Sequence, residues 1–236
     1  MITLAFDSAA KVASVAVLKE EAVLGCYSID NGRTQSELLL PMAEDLLKSL
    51  KLGFADVDLL ACTTGPGSFT GVRIGAAVIK GLAFGRNTPC VGVSTLESLA
   101  YNLLGLKGLI IPVMDARRGQ FYTAAFRCDG DSIERLTEDS ALSCDELASV
   151  ILSSGESCVY LVGDGYKIAK EALSSHGVVT ESTPPSLIPE NAASAGLIAY
   201  RKYLDGEYTS DVNIKPTYLR LPQAERERLE RLSKNK

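Results

Sequence analysis

The sequence contains no tryptophan and one histidine, His176, in 236 residues. Histidine is the commonest side-chain metal ligand, and a histidine-based metal site needs at least two of them at short spacing. A Ser-His-Asp triad would have to use His176, which lies outside any nucleophile-elbow sequence. We therefore expect neither a metal site nor a catalytic residue of these classes.

Paired cysteines and long apolar runs are also missing. The six cysteines are widely scattered, and several lie inside apolar segments, which is typical of buried thiols in a reducing compartment. The N-terminus lacks the basic and apolar regions of a signal peptide, and no apolar stretch reaches the roughly 20 residues of a membrane span. These absences predict a cytoplasmic protein with no membrane segment.

Basic charge is scarce, with 24 Lys and Arg against 29 Asp and Glu and a net charge of −5. Because RNA binding neutralises phosphates with a basic surface, the chain is a poor candidate for binding RNA on its own. Residues 219–236, LRLPQAERERLERLSKNK, are locally basic. Their charge spacing favours a solvated helix over an RNA-contacting tail. Any RNA contact is therefore expected only through a larger complex.

Strand and helix patterns follow one order twice along the chain. The first half predicts a three-strand antiparallel meander and then helix, buried strand, helix, strand and helix, at 2–6, 13–20, 22–29, 34–50, 57–64, 71–84, 88–94 and 95–104. The second half restarts with strand, turn and strand over 109–133. A strand, a Gly-Asp-Gly turn and a helix follow over 156–177, and a further helix over 192–204.

Each half ends its first strand in an aspartate, Asp7 or Asp115. Two related α/β lobes with mixed sheets flanked by helices suggest the sugar kinase, actin and Hsp70 class, which is ribonuclease H-like. In that class the hairpin turns face a cleft and hold nucleotide phosphates and metal. We expect lobes at 1–104 and 105–205, with 206–236 packing back on the first lobe.

A glycine-rich loop precedes the helix at 71–84, in the stretch TTGPGSFTGVRIGAAVIKG. It lacks the Gly-Lys-Ser/Thr of a Walker A motif, and its glycine spacing does not match the dinucleotide fingerprint. The alternative to a phosphate cradle is a tight turn in which Ser68 or Thr70 caps the helix. We favour this turn, whose role is to aim the helix, and assign it to Gly65, Pro66, Gly67, Ser68, Thr70 and Gly71.

The helices at 34–50 and 71–84 carry more apolar surface than one sheet contact requires. Only Arg73 and Lys80 are charged in the second helix, and its small residues permit close approach. The periodicity leaves two interpretations open, namely deeply buried core helices or a second contact with another protein. For a protein interface, the candidate residues are Leu39, Leu40, Ala43, Leu47, Ile74, Ala77 and Val78.

Asp7 and Asp115 are candidates for a two-carboxylate magnesium site across the cleft. Such a site would make the protein a cleft ATPase or a hydrolase. Turn-forming aspartates at strand ends are an equally good explanation. Asp7 is followed by Ser8-Ala9-Ala10 rather than by glycines that would admit a phosphate, which argues against the nucleotide interpretation.

Six segments occur in an order that resembles a known family. They are FDSA, RTQSELLLPMAEDLL, TTGPGSFTGVRIGAAVIKGLAFG, GVSTLESLA, PVMDARRGQFYTAAF and PTYLR. Together they resemble the bacterial TsaB (YeaZ) family over nearly the whole chain. The resemblance implies a non-catalytic relative of TsaD, the enzyme that places a threonylcarbamoyl group on adenosine 37 of tRNAs that read ANN codons. Older descriptions call both proteins glycoprotease-like.

The resemblance also implies partners. The helices at 34–50 and 71–84 are expected to pack against the equivalent pair of TsaD, or against a second copy in a homodimer. TsaE, an ATPase, is expected to join the pair, and tRNA to be reached only through the complex. No cofactor is implied, although weak vestigial nucleotide binding through Asp7 and Asp115 stays open. Relatives often carry His-Ser-Glu where this sequence has Gln35-Ser36-Glu37.

Overall fold

Eleven strands and six helices alternate in residues 1–220, the part of the chain that the computed structural model describes. The strands are β1 Ile2–Asp7, β2 Ala13–Lys19, β3 Ala22–Ile29, β4 Leu59–Gly65, β5 Cys90–Ser94, β6 Gly108–Asp115, β7 Gln120–Thr123, β8 Phe126–Cys128, β9 Ile133–Arg135, β10 Ser140–Ser143 and β11 Val159–Val162. The helices are α1 Gln35–Ser49, α2 Phe69–Ala83, α3 Thr95–Tyr101, α4 Cys144–Ser153, α5 Tyr166–Ser174 and α6 Ala192–Leu204.

The first sheet has the strand order β3-β2-β1-β4-β5. The first three strands form the predicted antiparallel meander, and β4 and β5 extend it in parallel with β1. Strand β4 is buried along its whole length because helices cover both faces of the sheet. Apolar residues of α1 and α2 pack on one face, and those of α6 pack on the other.

The second sheet repeats the order of the first four strands. Val113 lies opposite Thr123, and Ile110 lies opposite Phe126, so β7 and β8 keep one register against β6. They form a single antiparallel strand that is interrupted after Thr123. Strands β10 and β9 pair with its outer edge, and β11 pairs in parallel with the other edge of β6. The protein thus has the predicted two-lobed, ribonuclease H-like α/β fold.

One apolar core joins the two halves of the chain. Helix α3 lies between them, and Ser94 caps it by accepting a hydrogen bond from the Glu97 amide at 3.3 Å. The hydroxyl of Ser94 also donates to Asp139 in the second half of the chain, at 2.6 Å. Residues from both halves pack in this core, namely Val72, Leu96, Leu99, Leu103, Ile110, Met114, Phe126 and Val162.

Helix α6 and the segment after it pack on the first sheet. A Cβ on Gly196 would overlap the side chain of Leu18 in β2, so this glycine brings the helix close to the sheet. Further along, Thr209 bridges Cys90, and Ile214 is buried in the core beneath α1 and α2. The lobe limits at 104 and 205 stay predictions. We propose that α6 belongs to the first lobe, because it packs on the first sheet. Most of the basic stretch 219–236 lies outside the described residues.

Two differences from the sequence-based expectation have local causes. Helix α2 begins at Phe69 rather than near Gly71 because Ser68 is its N-cap and accepts from the Gly71 amide at 3.2 Å. Helix α4 was not predicted, although Ser143 and Glu146 form a capping box at its start. None of the described helices combines the length and the apolar content needed to cross a bilayer.

Leu99 tests the shared core. Its side chain is 1% exposed and packs between the two sheets. We expect Leu99→Ala to lower the free energy of unfolding by about 2–5 kcal/mol, because it removes apolar contacts and leaves a cavity. Leu204→Ala is the matched control, since that leucine is 64% exposed at the end of α6. Urea unfolding of both variants measures the difference, and equal losses would contradict a core shared by the two halves of the chain.

Candidate functional site

A cleft of about 770 Å³ opens between the two halves of the chain. Its first wall comes from the β1–β2 turn and the glycine-rich loop. Its second wall comes from the turn after β6 and the turn before α5. Residues 217–220 line it as well. The lining side chains with charge are Lys11, Asp30, Arg33, Asp115, Arg117, Asp164 and Arg220. The cleft therefore mixes both signs of charge.

The glycine-rich loop packs tightly against the β1–β2 turn. A Cβ on Gly71 would overlap the carbonyl oxygen of Ser8, and a Cβ on Gly67 would overlap that of Ala9. The Ser68 amide donates to the Ala9 carbonyl at 2.6 Å, and the Ser8 hydroxyl donates to the Gly71 carbonyl at 2.9 Å. The chain's own backbone thus fills the space that these glycines leave, and the contact positions the start of α2.

The C-terminal segment covers the other side of this loop. Gly65 has a φ of 116°, which favours glycine, and a Cβ there would lie 2.5 Å from the carbonyl oxygen of Thr217. The Thr217 amide donates to the Thr64 carbonyl at 2.7 Å. Pro66 follows Gly65 in a cis peptide and lines the cleft with Thr70. A phosphate would meet protein backbone at Gly65, not open space.

Residues 218–220 then span the mouth of the cleft. The Tyr218 ring lies 5.1 Å from that of Phe69 at the start of α2, and its hydroxyl accepts from Arg73 at 2.7 Å. Arg220 donates to the Ala116 carbonyl in the opposite wall at 2.9 Å. The segment therefore contacts both sides of the cleft.

The structure does not bring Asp7 and Asp115 to one surface. Asp7 is fully buried beneath the first wall, where its Oδ1 accepts from the Ala9 amide at 3.0 Å and from the Thr63 hydroxyl at 2.9 Å. Burial raises the pKa of Asp7 to about 6. Asp115 is exposed in the cleft and accepts from the Arg117 amide at 2.7 Å. Asp7 is absent from the cleft lining, so the two do not face a common ligand.

Two other carboxyl groups, which the sequence did not single out, have raised pKa values. Glu190 is 2% exposed, and burial raises its pKa to about 8, with further contributions from the negative charges of Asp7, Asp164 and Asp30. Desolvation also raises the pKa of Asp164, which lines the cleft and accepts from the Asp115 amide at 3.2 Å. The only sequence signal for Asp164 was the Gly-Asp-Gly turn, and Glu190 had none.

Within residues 1–220, no group of three or more His, Cys, Asp or Glu side chains has an arrangement suited to a metal ion. The single histidine lies in a different place from the cleft. Its Nε2 is 2.5 Å from Asp145, and its Nδ1 is 3.7 Å from the Cys144 thiol. Burial and the charge of Asp145 raise the pKa of Cys144. The thiol therefore stays protonated at neutral pH, which argues against a cysteine nucleophile.

Helices α1 and α2 lie side by side and expose apolar residues on their outer surface. Leu40 is 41% exposed, Ala77 is exposed, and Ile74 and Val78 are half-buried. We call Leu40, Ile74, Ala77 and Val78 the helical face. The two charged residues of α2 turn away towards the C-terminal segment, where Arg73 binds Tyr218 and Lys80 donates to the Val212 carbonyl at 3.5 Å. Arg73 and Lys80 flank Ala77 at i−4 and i+3, and both side chains are engaged by the C-terminal segment.

Three candidate interface residues lie instead in the core of this chain. Leu39 and Ala43 have no exposed area, and Leu47 is 1% exposed. They pack against the first sheet on the inner face of α1, because a 15-residue helix that covers a sheet must direct one stripe inward. A partner has no direct access to them, so the predicted interface narrows to the helical face.

Gln35, at the start of α1, binds the β1–β2 turn. Its side-chain amide donates to the Ala10 carbonyl at 2.8 Å and is 3.4 Å from the Lys11 carbonyl. A glutamine amide can donate to two carbonyls, so this side chain ties the start of α1 to the first wall of the cleft. Its role here is positional.

The chain matches the family model described as TsaD, tRNA N6-adenosine threonylcarbamoyltransferase, over residues 30–225. It is 31% identical over 223 residues to the tRNA threonylcarbamoyladenosine biosynthesis protein TsaB of Escherichia coli K12, which covers 93% of this chain and 95% of that protein. The TsaB protein of Bacillus subtilis 168 is 28% identical over 229 residues, covering 95% and 96%.

Among solved structures, the chain resembles a Pseudomonas aeruginosa protein described as similar to the peptidase YeaZ. The TM-score is 0.78 at 26% identity, and the match covers 93% of this chain and 99% of that one. The likeness extends over nearly all of both chains, so it includes the cleft as well as the two helices.

Gly71 tests the packing of the loop. We expect Gly71→Ala to lower the free energy of unfolding by at least about 2 kcal/mol, because the new methyl group would overlap a backbone carbonyl that cannot rotate away. Gly81→Ala, in the same helix, has nothing within 4 Å of the added Cβ. It should stabilise the helix by about 0.5–1 kcal/mol. Urea unfolding compares the two, and a tolerated Gly71→Ala would show that the loop is not tightly packed.

Proposed function

Because the chain belongs to the TsaB (YeaZ) family of tRNA threonylcarbamoyladenosine biosynthesis proteins, we propose that it is a non-catalytic scaffold subunit of that machinery. In this proposal the chain binds and stabilises TsaD, the catalytic subunit that modifies adenosine 37, and the ATPase TsaE joins the pair. The isolated chain forms a homodimer through the same surface. The complex works in the cytoplasm, and tRNA is reached only through it.

The observation that carries this proposal is the exposed apolar surface of the helical face. Leu40 is 41% exposed, and Ala77 is exposed on α2, where the neighbouring Arg73 and Lys80 are engaged by the C-terminal segment. Phe84, just beyond α2, is 80% exposed. Exposed apolar residues that lie together on adjacent elements are typical of protein–protein contacts.

The match to the TsaD family model supports the choice of partner. The matched range, residues 30–225, includes both α1 and α2. A TsaD partner of the same fold would present an equivalent pair of helices. Two such pairs can pack as a four-helix arrangement, in which small residues such as Ala77 allow close approach of the helix axes.

The geometry of the cleft agrees with a non-catalytic role. Asp7 is buried and directs one carboxylate oxygen to Ala9 and Thr63. The space beside Gly65 is taken by the backbone of Thr217. A cleft ATPase or a glycoprotease-like hydrolase using Asp7 and Asp115 would need both carboxylates and an open loop at the same surface.

Ala77→Arg tests the partner surface. Arginine is a good helix former and position 77 is exposed, so we expect the variant chain to stay folded. A buried, unpaired guanidinium in the contact should weaken binding to TsaD by at least about tenfold. Co-elution with TsaD on a sizing column and calorimetric titration measure this effect, and an assay for modified tRNA reports its consequence.

The matched control is Val179→Arg, which also puts an arginine at an exposed apolar position, since Val179 is 81% exposed in the other half of the chain. It should bind TsaD normally. Normal binding by Ala77→Arg would rule out the helical face as the contact, and equal loss in both variants would point to a general effect of added charge.

Titration with ATP and Mg²⁺ separates the scaffold from the cleft enzyme. We expect no turnover by the isolated chain, and no effect of Asp115→Ala on its stability beyond about 1 kcal/mol, because Asp115 is exposed at a turn. Turnover that disappears in Asp115→Ala would instead favour the hydrolase.

A further inference from the structure

Residues 187–192 form a crosspiece that hydrogen-bonds to both halves of the chain. The Ile188 carbonyl accepts from the Gly163 amide, at the end of β11, at 2.8 Å. The Pro189 carbonyl accepts from Asn102 at 2.8 Å, and the Ala192 amide donates to Ser14 at 3.0 Å. The crosspiece also leads directly into α6. Its position therefore links the second sheet to the first.

The carboxyl group of Glu190 is buried where the crosspiece links the two sheets. The side chain is 2% exposed, and its Oε1 has no hydrogen-bond partner in the described part of the chain. Asp7, buried nearby, likewise has an unpartnered Oδ2. A buried polar atom without a partner costs free energy, and an ionised one costs far more. Two such carboxyl groups in one region lower the stability of the folded chain, and a merely structural role does not explain this cost.

The charges that face Glu190 are of one sign. The negative charges that raise the pKa of Glu190 belong to Asp7 at the end of β1, Asp164 in the turn before α5 and Asp30 just after β3. The cation in the vicinity, Lys11, acts on Asp164, where it partly offsets the effect of Asp115. Ionised Glu190 would therefore meet negative charge from three elements in a poorly solvated position.

We propose that Glu190 is a proton-operated latch between the two lobes: its neutral carboxyl lets the crosspiece hold them together, and its ionisation beside Asp7 loosens that join. The crosspiece and the start of α6 are the elements that move, because Glu190 lies on the crosspiece two residues before α6. This inference does not depend on the proposed partner.

The sign of the pH dependence follows from the pKa of Glu190, which rises from its ordinary 4.5 to about 8 in the folded protein. A carboxyl with a higher pKa in the folded state favours folding while it is protonated. That contribution is complete below about pH 4.5 and is lost as the pH rises towards 8. Asp7, whose pKa rises to about 6, adds to the loss at lower pH.

The experiment is hydrogen exchange of the full chain from pH 6.0 to 8.5, expressed as protection factors corrected for the intrinsic effect of pH. We expect the Gly163 and Ala192 amides, which bind the crosspiece and its end, to lose protection by at least about tenfold. The Ala169 amide, inside α5, should keep its protection. In Glu190→Gln the loss should disappear. Glu181→Gln, an exposed control just before the crosspiece, should behave as the unmodified chain.

A second variant distinguishes the latch from a general effect of pH. Asp7→Asn keeps an oxygen for the Ala9 amide and the Thr63 hydroxyl but removes the charge that faces Glu190. This variant should lower the pH at which half of the hydrogen-exchange protection is lost. An unchanged pH profile in Glu190→Gln would overturn the proposal. Recovery of protection at pH 8.5 on addition of millimolar Mg²⁺ would also overturn it, since the carboxyls would then serve a cation rather than a proton.

Discussion

The close contact between the β1–β2 turn and the glycine-rich loop is the constraint on which the rest of the molecule depends. The carbonyls of Ser8 and Ala9 occupy the places where side chains would begin at Gly71 and Gly67. This contact fixes the start of α2 against the first sheet, and the direction of α2 decides which residues face solvent. The same contact fills the space that a phosphate would need. One backbone contact therefore determines both the direction of the helical face and the shape of the cleft.

A shared core then joins the two lobes. Leu99 and its neighbours on α3 pack with residues from both halves of the chain, and Arg220 reaches across the front of the cleft to Ala116. Apolar burial at the back and the C-terminal segment at the front both oppose movement of the lobes away from each other. The crosspiece at 187–192 is different, because Glu190 brings an unsatisfied carboxyl into the connection between the two halves of the chain.

The two proposals concern opposite sides of the first sheet and have different physical origins. The helical face is an excess of apolar surface that the chain does not cover by itself, and its favourable partner is another apolar surface. The latch is an excess of buried negative charge, and its favourable partner is a proton. Helices α1 and α2 lie on the face of the first sheet away from α6. The helical face can therefore stay rigid while the crosspiece responds to pH.

The sequence by itself determined the order of strands and helices in the first half of the chain, the aspartates that end β1 and β6, and the segments that mark the family. These follow from local periodicity, capping and turn chemistry, which act over a few residues. Only the tertiary structure decided that Leu39 is core while Leu40 is surface, that Asp7 is buried away from Asp115, and that Glu190 lies beside Asp7. Periodicity gives the apolar stripes of a helix but not what covers them. Contacts between positions more than a hundred residues apart exist only once both sheets have formed.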